Sequence, residues 1–470
     1  MIKPVILWTD ALVFMLLFAV VLFALYARAR PHLRSPWKRI FTSRMASVSA
    51  VFLLTYVVIG VLDSLHFRLP LENRTGAQEA HYAVEVLSVF DVLLGPVRTQ
   101  VEKTYSAPFA THLFTRETIE HPDGSQSRDY PRLEYGGAHL QDPVTERNAD
   151  IRQRVLAALL QTLVAMPAVL FLLGAMLARR YNRSTRQTIL DILAARTAAP
   201  WRAILLSVGM VALLIFLAIN LAGAYHVLGT DKVGQDVFYQ TLKSIRTGLV
   251  IGTLTTLVML PFAILLGIMA GYLRGWVDDV IQYTYTTLNS IPGVLLIAAA
   301  ILMLQVYIAN NPQSFETTLE RADIRLLFLC IILGITSWTG LCRLLRGESL
   351  KLREVEYIQA AASFGVSHAR IITRHILPNV MHIVLITVVL DFSGLVLAEA
   401  VLSYIGIGVD PTMNSWGNMI NRARLEMARE PMVWWSLMSA FVFMFVLVLA
   451  ANLFSDSVRD AFDPRLRNNR

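Results

Sequence analysis

Apolar residues run along this chain in long unbroken blocks, and the polar residues are gathered between them. A hydrocarbon layer of ~30 Å is crossed by about 20 helical residues, so blocks of that length predict membrane-spanning helices. Only helices or closed barrels satisfy their backbone in lipid, and continuous rather than alternating runs favour helices. The blocks lie near residues 5–26, 45–62, 155–177, 203–221, 249–271, 283–304, 324–344, 380–404 and 433–454. The expected fold class is all-α, a polytopic membrane protein of about nine transmembrane helices.

One polar island stands out between two blocks, QAAASFGVSHARIITRHILPN over 359–379. Residues 354–362 are good helix formers, and the small side chains of Ala360 and Ala361 allow another surface to approach closely. Gly365 follows where a helix would end, and glycine adopts the left-handed conformation after a helix at little cost. Ser367 is placed to cap a second short helix through Ala369, Ile371 and Ile372. Pro378 has no amide hydrogen to lose and suits the first turn of the next membrane helix. The island therefore predicts a helix–turn–helix joined directly to a span. An ordinary amphipathic connecting loop has the same pattern.

Composition supports the membrane reading: 55% of the 470 residues are hydrophobic and only 16% are charged. The formal net charge of +8 raises the question of nucleic acid, which the placement of the charge answers. Arg28, Arg30, Arg34, Lys38, Arg39 and Arg44 follow the first block without an acid among them. Arg179, Arg180, Arg183, Arg186, Arg196 and Arg202 lie between the third and fourth blocks, and Arg343, Arg346, Lys351, Arg353, Arg370 and Arg374 around the island. If every block crosses, these groups fall on one side, with Arg465, Arg467 and Arg470. Positive charge in short loops marks the cytoplasmic side. The N-terminus is thus expected outside and the C-terminus in the cytoplasm, and no nucleic-acid partner is expected. A signal peptide carries its positive charge before its apolar core. Here Lys3 stands alone in front, so the first block is expected to be a retained anchor.

Residues 63–150 differ, with fourteen acids against eight Lys and Arg. They are expected outside, as a small domain or a loose cap, with turns and short strands between 124 and 142. His112, His121 and His139 lack metal-ligand spacing, so no metal site is expected. The triplets Asn73-Arg74-Thr75 and Asn182-Arg183-Ser184 read as chance matches to a glycosylation pattern. Cys330 and Cys342, both in apolar surroundings, are expected to be buried free thiols.

Two further groups of residues are candidates for function. In LGTDKVGQDV, Gly229 and Gly234 permit tight bends and Asp231 and Asp236 suit helix caps. No nucleophile or histidine is seen to accompany the two carboxylates, which argues against catalysis. Asp391 and Glu399 lie eight residues apart within the eighth block, on nearly the same helical face. Ionisable groups at that depth face a bundle interior or a water-filled path. They are expected either to line a translocation path and meet a substrate's amino terminus, or to hydrogen-bond a neighbouring helix. No GxxxxGK[ST], GxSxG or HExxH pattern is present, so neither catalytic residues nor ATP binding is expected of this chain.

Several segments, in order, resemble bacterial ABC importer permeases of the dipeptide/oligopeptide/nickel class. The island is similar to their EAA loop, Glu-Ala-Ala, three residues, Gly, nine residues, Ile-x-Leu-Pro. Ala360, Ala361, Gly365, Leu377 and Pro378 match at that spacing, with Gln359 for the glutamate and His375 for the isoleucine. LGTDKVGQDV (228–237), AGYLRGWVDD (270–279), LAEAVLSYIGIGVDP (397–411), SWGNM (415–419) and RDAFDPR (459–465) resemble other segments of that class. The resemblance covers roughly 225–466, about half the chain.

It implies a C-type permease subunit with a six-helix core at the C-terminal side, blocks four to nine. The loop would be the coupling helix that sits in a groove of a cytoplasmic ATPase, carried here by Gln359, Ala360, Ala361, Gly365, Arg374, His375, Leu377 and Pro378. Glu399 falls where the family has a glutamate, whereas Asp391 is no family feature. Implied partners are a second permease subunit in a heterodimer, two ABC ATPase subunits, a periplasmic or extracellular solute-binding protein, and membrane lipid. ATP and Mg would be held by the ATPases, with no cofactor in this chain, and the location would be the bacterial inner membrane. Alternating access would follow as ATP closes the ATPase dimer and drags the loop around Gly365. The implied organisation is two helices with a basic loop (1–62), an acidic outer segment (63–150), a third helix with a basic loop (151–202) and the permease core (203–470). The competing expectation is a non-transporting membrane sensor or assembly protein built on a permease core. Neighbouring genes for an ATPase and a secreted binding protein would separate the two.

Overall fold

A computed structural model describes residues 3–29, 31–70, 82–120, 126–314 and 317–462. Among the described residues, nine helices are long and apolar enough to cross a membrane. Spans one to nine are Trp8–Tyr26, Arg44–Asp63, Pro143–Tyr181, Trp201–Ala222, Val237–Leu273, Gly293–Asn310, Thr318–Arg353, His368–Tyr404 and Trp435–Phe462. The protein is all-α and polytopic, with only short strands besides. His121, the triplet at Asn73, residues 463–465 of RDAFDPR, Arg30, Arg465, Arg467 and Arg470 lie outside the described residues.

Span six departs from expectation. In place of one helix over 283–304, a separate helix Trp276–Ser290 precedes Gly293–Asn310. Ile291 between them is extended, at φ −90° and ψ 129°. Pro292 favours this break, because the proline ring disfavours the α conformation for the residue before it.

The chain folds into two compact units. The first holds the described residues of 3–4, 35–246 and 414–457. In it, spans three and four pack together with the short helix Thr185–Leu193, around buried Leu177, Ile192 and Leu205. Tyr56 of span two donates to the carbonyl of Phe443 at 2.9 Å and meets Trp416 edge-on. One short strand of the acidic segment, Gln126–Asp129, lies where strands were expected, and it pairs antiparallel with Glu117–Glu120 before that stretch. The segment also contains a pairing of His66–Arg68 with Leu87–Ser88.

The second unit holds the described residues of 5–34, 247–413 and 458–462. Span one packs against span seven, where the Thr9 amide donates to Asp323 Oδ2 at 3.2 Å and its hydroxyl donates to Oδ1. One apolar core gathers around Ile251, Ile301, Leu326 and Leu329, and another around Ile268, Leu345, Ile358, Ile371 and Ile376. Cys330 and Cys342 are free and buried, as their surroundings suggested.

Candidate coupling surface and charged sites

After span seven the polar island folds as one short helix followed by the first turns of span eight. Helix Glu356–Ser363 closes at Gly365, whose φ is +75°. The Val366 amide donates to the Ala361 carbonyl at 3.1 Å and the Gly365 amide to that of Ala362 at 3.0 Å. This pair of bonds is the Schellman closure, which needs a left-handed residue and so favours glycine. Ser367 stands in the capping position, but its side chain caps nothing.

The chain then runs in continuous helix from His368 into the membrane. Over Ile372–Ile376 the backbone widens into a π turn before Leu377, with Pro378 in the first turn of the segment that follows. A proline inside a helix collides with the carbonyl four residues earlier, here that of Arg374, and the wider turn relieves the collision. The separate start expected at Pro378 is thus replaced by one unbroken helix.

The segment has two faces. Ile358, Ile371 and Ile376 are fully buried, with Ala361, Val366 and Leu377 packed on the same core. Gln359, Ala360, Gly365, Arg374 and Phe364 are exposed, Phe364 at 87%. A Cβ placed on Gly365 would meet nothing within 4 Å. The half-buried His375 lies tilted against the Tyr357 ring, centroids 5.9 Å apart. Gln359 Nε2 donates to the Glu354 carbonyl at 3.3 Å and lies 3.4 Å from its carboxylate, which is ion-paired with Arg274 at 2.6 Å.

Asp391 and Glu399 have different surroundings in span eight. Glu399 is buried and accepts the Ser403 hydroxyl at 2.7 Å, one turn along. Asp391 is half-buried and makes no hydrogen bond among the described residues. At the other end of the second unit from the island, span seven begins at a Thr317 cap, its hydroxyl accepting the Glu320 amide at 3.2 Å.

In LGTDKVGQDV, Gly229 and Gly234 have φ of +70° and +76°. Asp236 Oδ1 accepts the Tyr239 amide at 3.1 Å and caps span five. Asp231 is no cap. Its Oδ1 accepts the amides of Val233 and Gln235, bracing the loop from within, because the helix begins six residues later at Val237.

Similarity to known proteins decides what this framework is. Residues 263–468 match the family described as binding-protein-dependent transport system inner membrane component. Over 243 residues, 52% of this chain and 74% of the relative, the sequence is 32% identical to a glutathione transport system permease protein, GsiD, of Pectobacterium atrosepticum. Over 248 residues, 53% of this chain and 79% of the relative, it is 33% identical to an oligopeptide transport system permease protein, OppC, of Mycobacterium tuberculosis. The chain belongs to this permease family. A dipeptide transport system permease protein, DppC, of Bacillus subtilis is 28% identical over 244 residues, 52% of this chain and 70% of the relative.

The permease's acidic segment is bound tightly to the LGTDKVGQDV loop, through residues that the sequence reading passed over. His226, 1% exposed, places Nδ1 2.7 Å from Asp236 and Nε2 3.3 Å from Glu102. A histidine does therefore accompany that carboxylate, two residues upstream of the loop. The Glu102 carboxylate also accepts the amides of Glu134, Tyr135 and Gly136 at 2.9–3.1 Å. Burial pushes Glu102 upward, but the His226 hydrogen bond and the three amides outweigh it and carry its pKa down to about 2. Burial likewise opposes a charge on His226, yet its bonds to Asp236 and Glu102 hold its pKa up at about 9.

The Glu102 amide donates to the Gly234 carbonyl at 2.9 Å. A Cβ on Gly234 would sit 1.7 Å from the Glu102 carbonyl oxygen, so only glycine permits this approach. Thr230 adds a bond to the Thr104 carbonyl at 2.8 Å, and the Trp435 indole donates to the Thr230 carbonyl at 2.9 Å. Two helical turns into span five, Lys243 is held by Asp63 and by Asp91, the latter at 3.0 Å. Tyr239 donates to Asp91 at 2.7 Å. A lysine and an arginine, Lys243 and Arg246, just before the fifth apolar block were the signal for this cluster, since a cation at the edge of a span requires counter-charges.

Proposed function

We propose that this chain is the permease subunit of an ATP-driven importer of peptides or related small solutes, and that residues 354–378 couple it to a cytoplasmic ATPase. One observation carries the reading: the exposed face Gln359, Ala360, Phe364 and Gly365 stands on a fully buried isoleucine footing. A rigidly seated, small-residue surface with one projecting aromatic ring suits docking in a groove. Aromatic anchors dominate the energy of such contacts.

The peptide class rests on the glutathione, oligopeptide and dipeptide permeases to which the chain is similar. A second permease, two ATPases and a solute-binding protein complete the proposed complex, with ATP and Mg held by the ATPases. The N-terminus would lie outside and the C-terminus in the cytoplasm, following the basic loops. Work done on the loop opens the path to one side only if the ATPase binds the loop's alternative positions unequally.

The test is Gly365→Pro in the reconstituted complex. Proline fixes φ near −65° and cannot take the +75° observed. Uptake driven by ATP should be lost while membrane insertion persists; normal uptake would remove the coupling assignment.

A further inference from the structure

The second unit contains a cavity of about 580 Å³ at the end remote from the coupling segment, where span six ends and span seven begins. Small-molecule sites typically enclose about 300–1,000 Å³. Its wall includes Gln305, Ile308, Thr318, Arg321, Arg325 and Asp410. We propose that this cavity is a subsite for the carboxylate end of a short peptide, gripped by Arg325 and Arg321.

The incomplete pairing of Arg325 is the main support. The residue is 7% exposed and Asp410 8%, yet Asp410 Oδ2 stands 3.6 Å from Nη1, too far for a hydrogen bond. Asp410 Oδ1 is taken by the amide and hydroxyl of Thr412, at 2.9 and 2.7 Å. The buried Arg325 Nε–H donates to no acceptor. Turning over the Gln305 amide brings its oxygen 2.9 Å from Nη2, which leaves Nε unmatched still. A buried guanidinium with an unsatisfied donor is costly, and a ligand carboxylate supplies acceptors in the planar arrangement that guanidinium matches.

Arg321 lies four residues earlier on the same helix, on the same face, exposed and without an ion pair among the described residues. Two neighbouring cations repel one another, and an anion between them removes that repulsion. With Asp410 counted, the wall carries one net positive charge, which matches a singly charged carboxylate better than a phosphate dianion. The wall also includes Thr317 and Thr318, at the N-terminus of span seven, where backbone amides favour an anion. Ile308 supplies an apolar surface for a peptide side chain.

The choice of a peptide rests on the importer reading; the carboxylate chemistry does not. The test uses the full chain, purified in nanodiscs with its copurifying subunits and without a binding protein, with tri-alanine and tri-alanine amide as probes. The free acid should bind at least about tenfold more tightly than the amide. Arg321→Gln and Arg325→Gln should each erase most of that ratio. Arg321 is exposed, so its variant reports even if Arg325→Gln fails to fold. Equal affinity for acid and amide, or an unchanged ratio in Arg321→Gln, overturns the proposal. Discriminating binding without ATP-driven uptake of tri-alanine would instead count against the importer reading and leave the subsite standing.

Discussion

Glu102 and His226 form a buried ion pair, 3.3 Å apart, that joins the acidic segment to the loop preceding span five. With Asp236 at 2.7 Å on the other ring nitrogen, the imidazole bridges two carboxylates in a place that water does not reach. Removing the imidazole leaves both carboxylates facing each other. His226→Ala is expected to destabilise this region by about 3–5 kcal/mol, the usual cost of breaking a buried pair from one side. Thermal unfolding of the purified permease measures it, and a change under about 1 kcal/mol would contradict the arrangement.

The same pair fixes a pH window. The folded pKa of His226 is raised to about 9. Its contribution is therefore complete below the unfolded value of about 6.5 and lost as pH rises through 9. Glu102 is lowered to about 2, so its contribution is complete above about 4.3 and lost as pH falls through 2. Amide-exchange protection of residues 102–113 should be greatest between about pH 4.5 and 6.5 and decline toward pH 9, once intrinsic exchange rates are corrected. In Glu102→Gln the decline on the alkaline side should be shallower.

Gly234→Ala should loosen the acidic segment from the loop, because the added methyl would collide with backbone rather than with a yielding side chain. Limited proteolysis between 103 and 141 should accelerate at least about tenfold. Gly223→Ala, where a Cβ meets nothing within 4 Å, serves as the control and should leave the digestion pattern unchanged.

Phe364→Ala should weaken ATPase docking without disturbing the fold, since the ring is 87% exposed. Loss of an aromatic anchor costs about 2 kcal/mol or more, so binding of the ATPase should weaken at least about thirtyfold. Copurification of the ATPase and ATP-driven uptake both report it. Unimpaired uptake would show that the ring is not an anchor.

Asp391→Asn and Glu399→Gln should separate transport from stability. Asp391 lacks a hydrogen-bond partner among the described residues, so its variant should alter uptake rate or peptide preference at unchanged thermal stability. Glu399 is buried and bonded to Ser403, so its variant should lower stability. If Asp391→Asn transports every tested peptide as the wild type does, Asp391 does not belong to the path.

The spans were legible because twenty apolar residues in a row have one solution in lipid. The turn at Gly365 was legible because helix closure there needs a left-handed residue. Span six was misplaced because one residue, Ile291, is biased away from helix by the proline after it, a local effect that a count of apolar residues overlooks. Phe364 went unremarked because nothing in its neighbours reveals whether a ring between a serine and a glycine points inward or outward.

The sequence by itself therefore determined most of the spans, the family and the turn at Gly365, since these depend on neighbours within a few turns along the chain. Only the tertiary structure decided that Glu102 meets His226 across 124 residues and that Lys243 meets Asp63 across 180. It alone showed that Arg325 is buried with an unmatched donor. Pairings of that kind depend on how distant segments pack, and burial makes them costly to leave incomplete. No local pattern of residue types records which partner completes them.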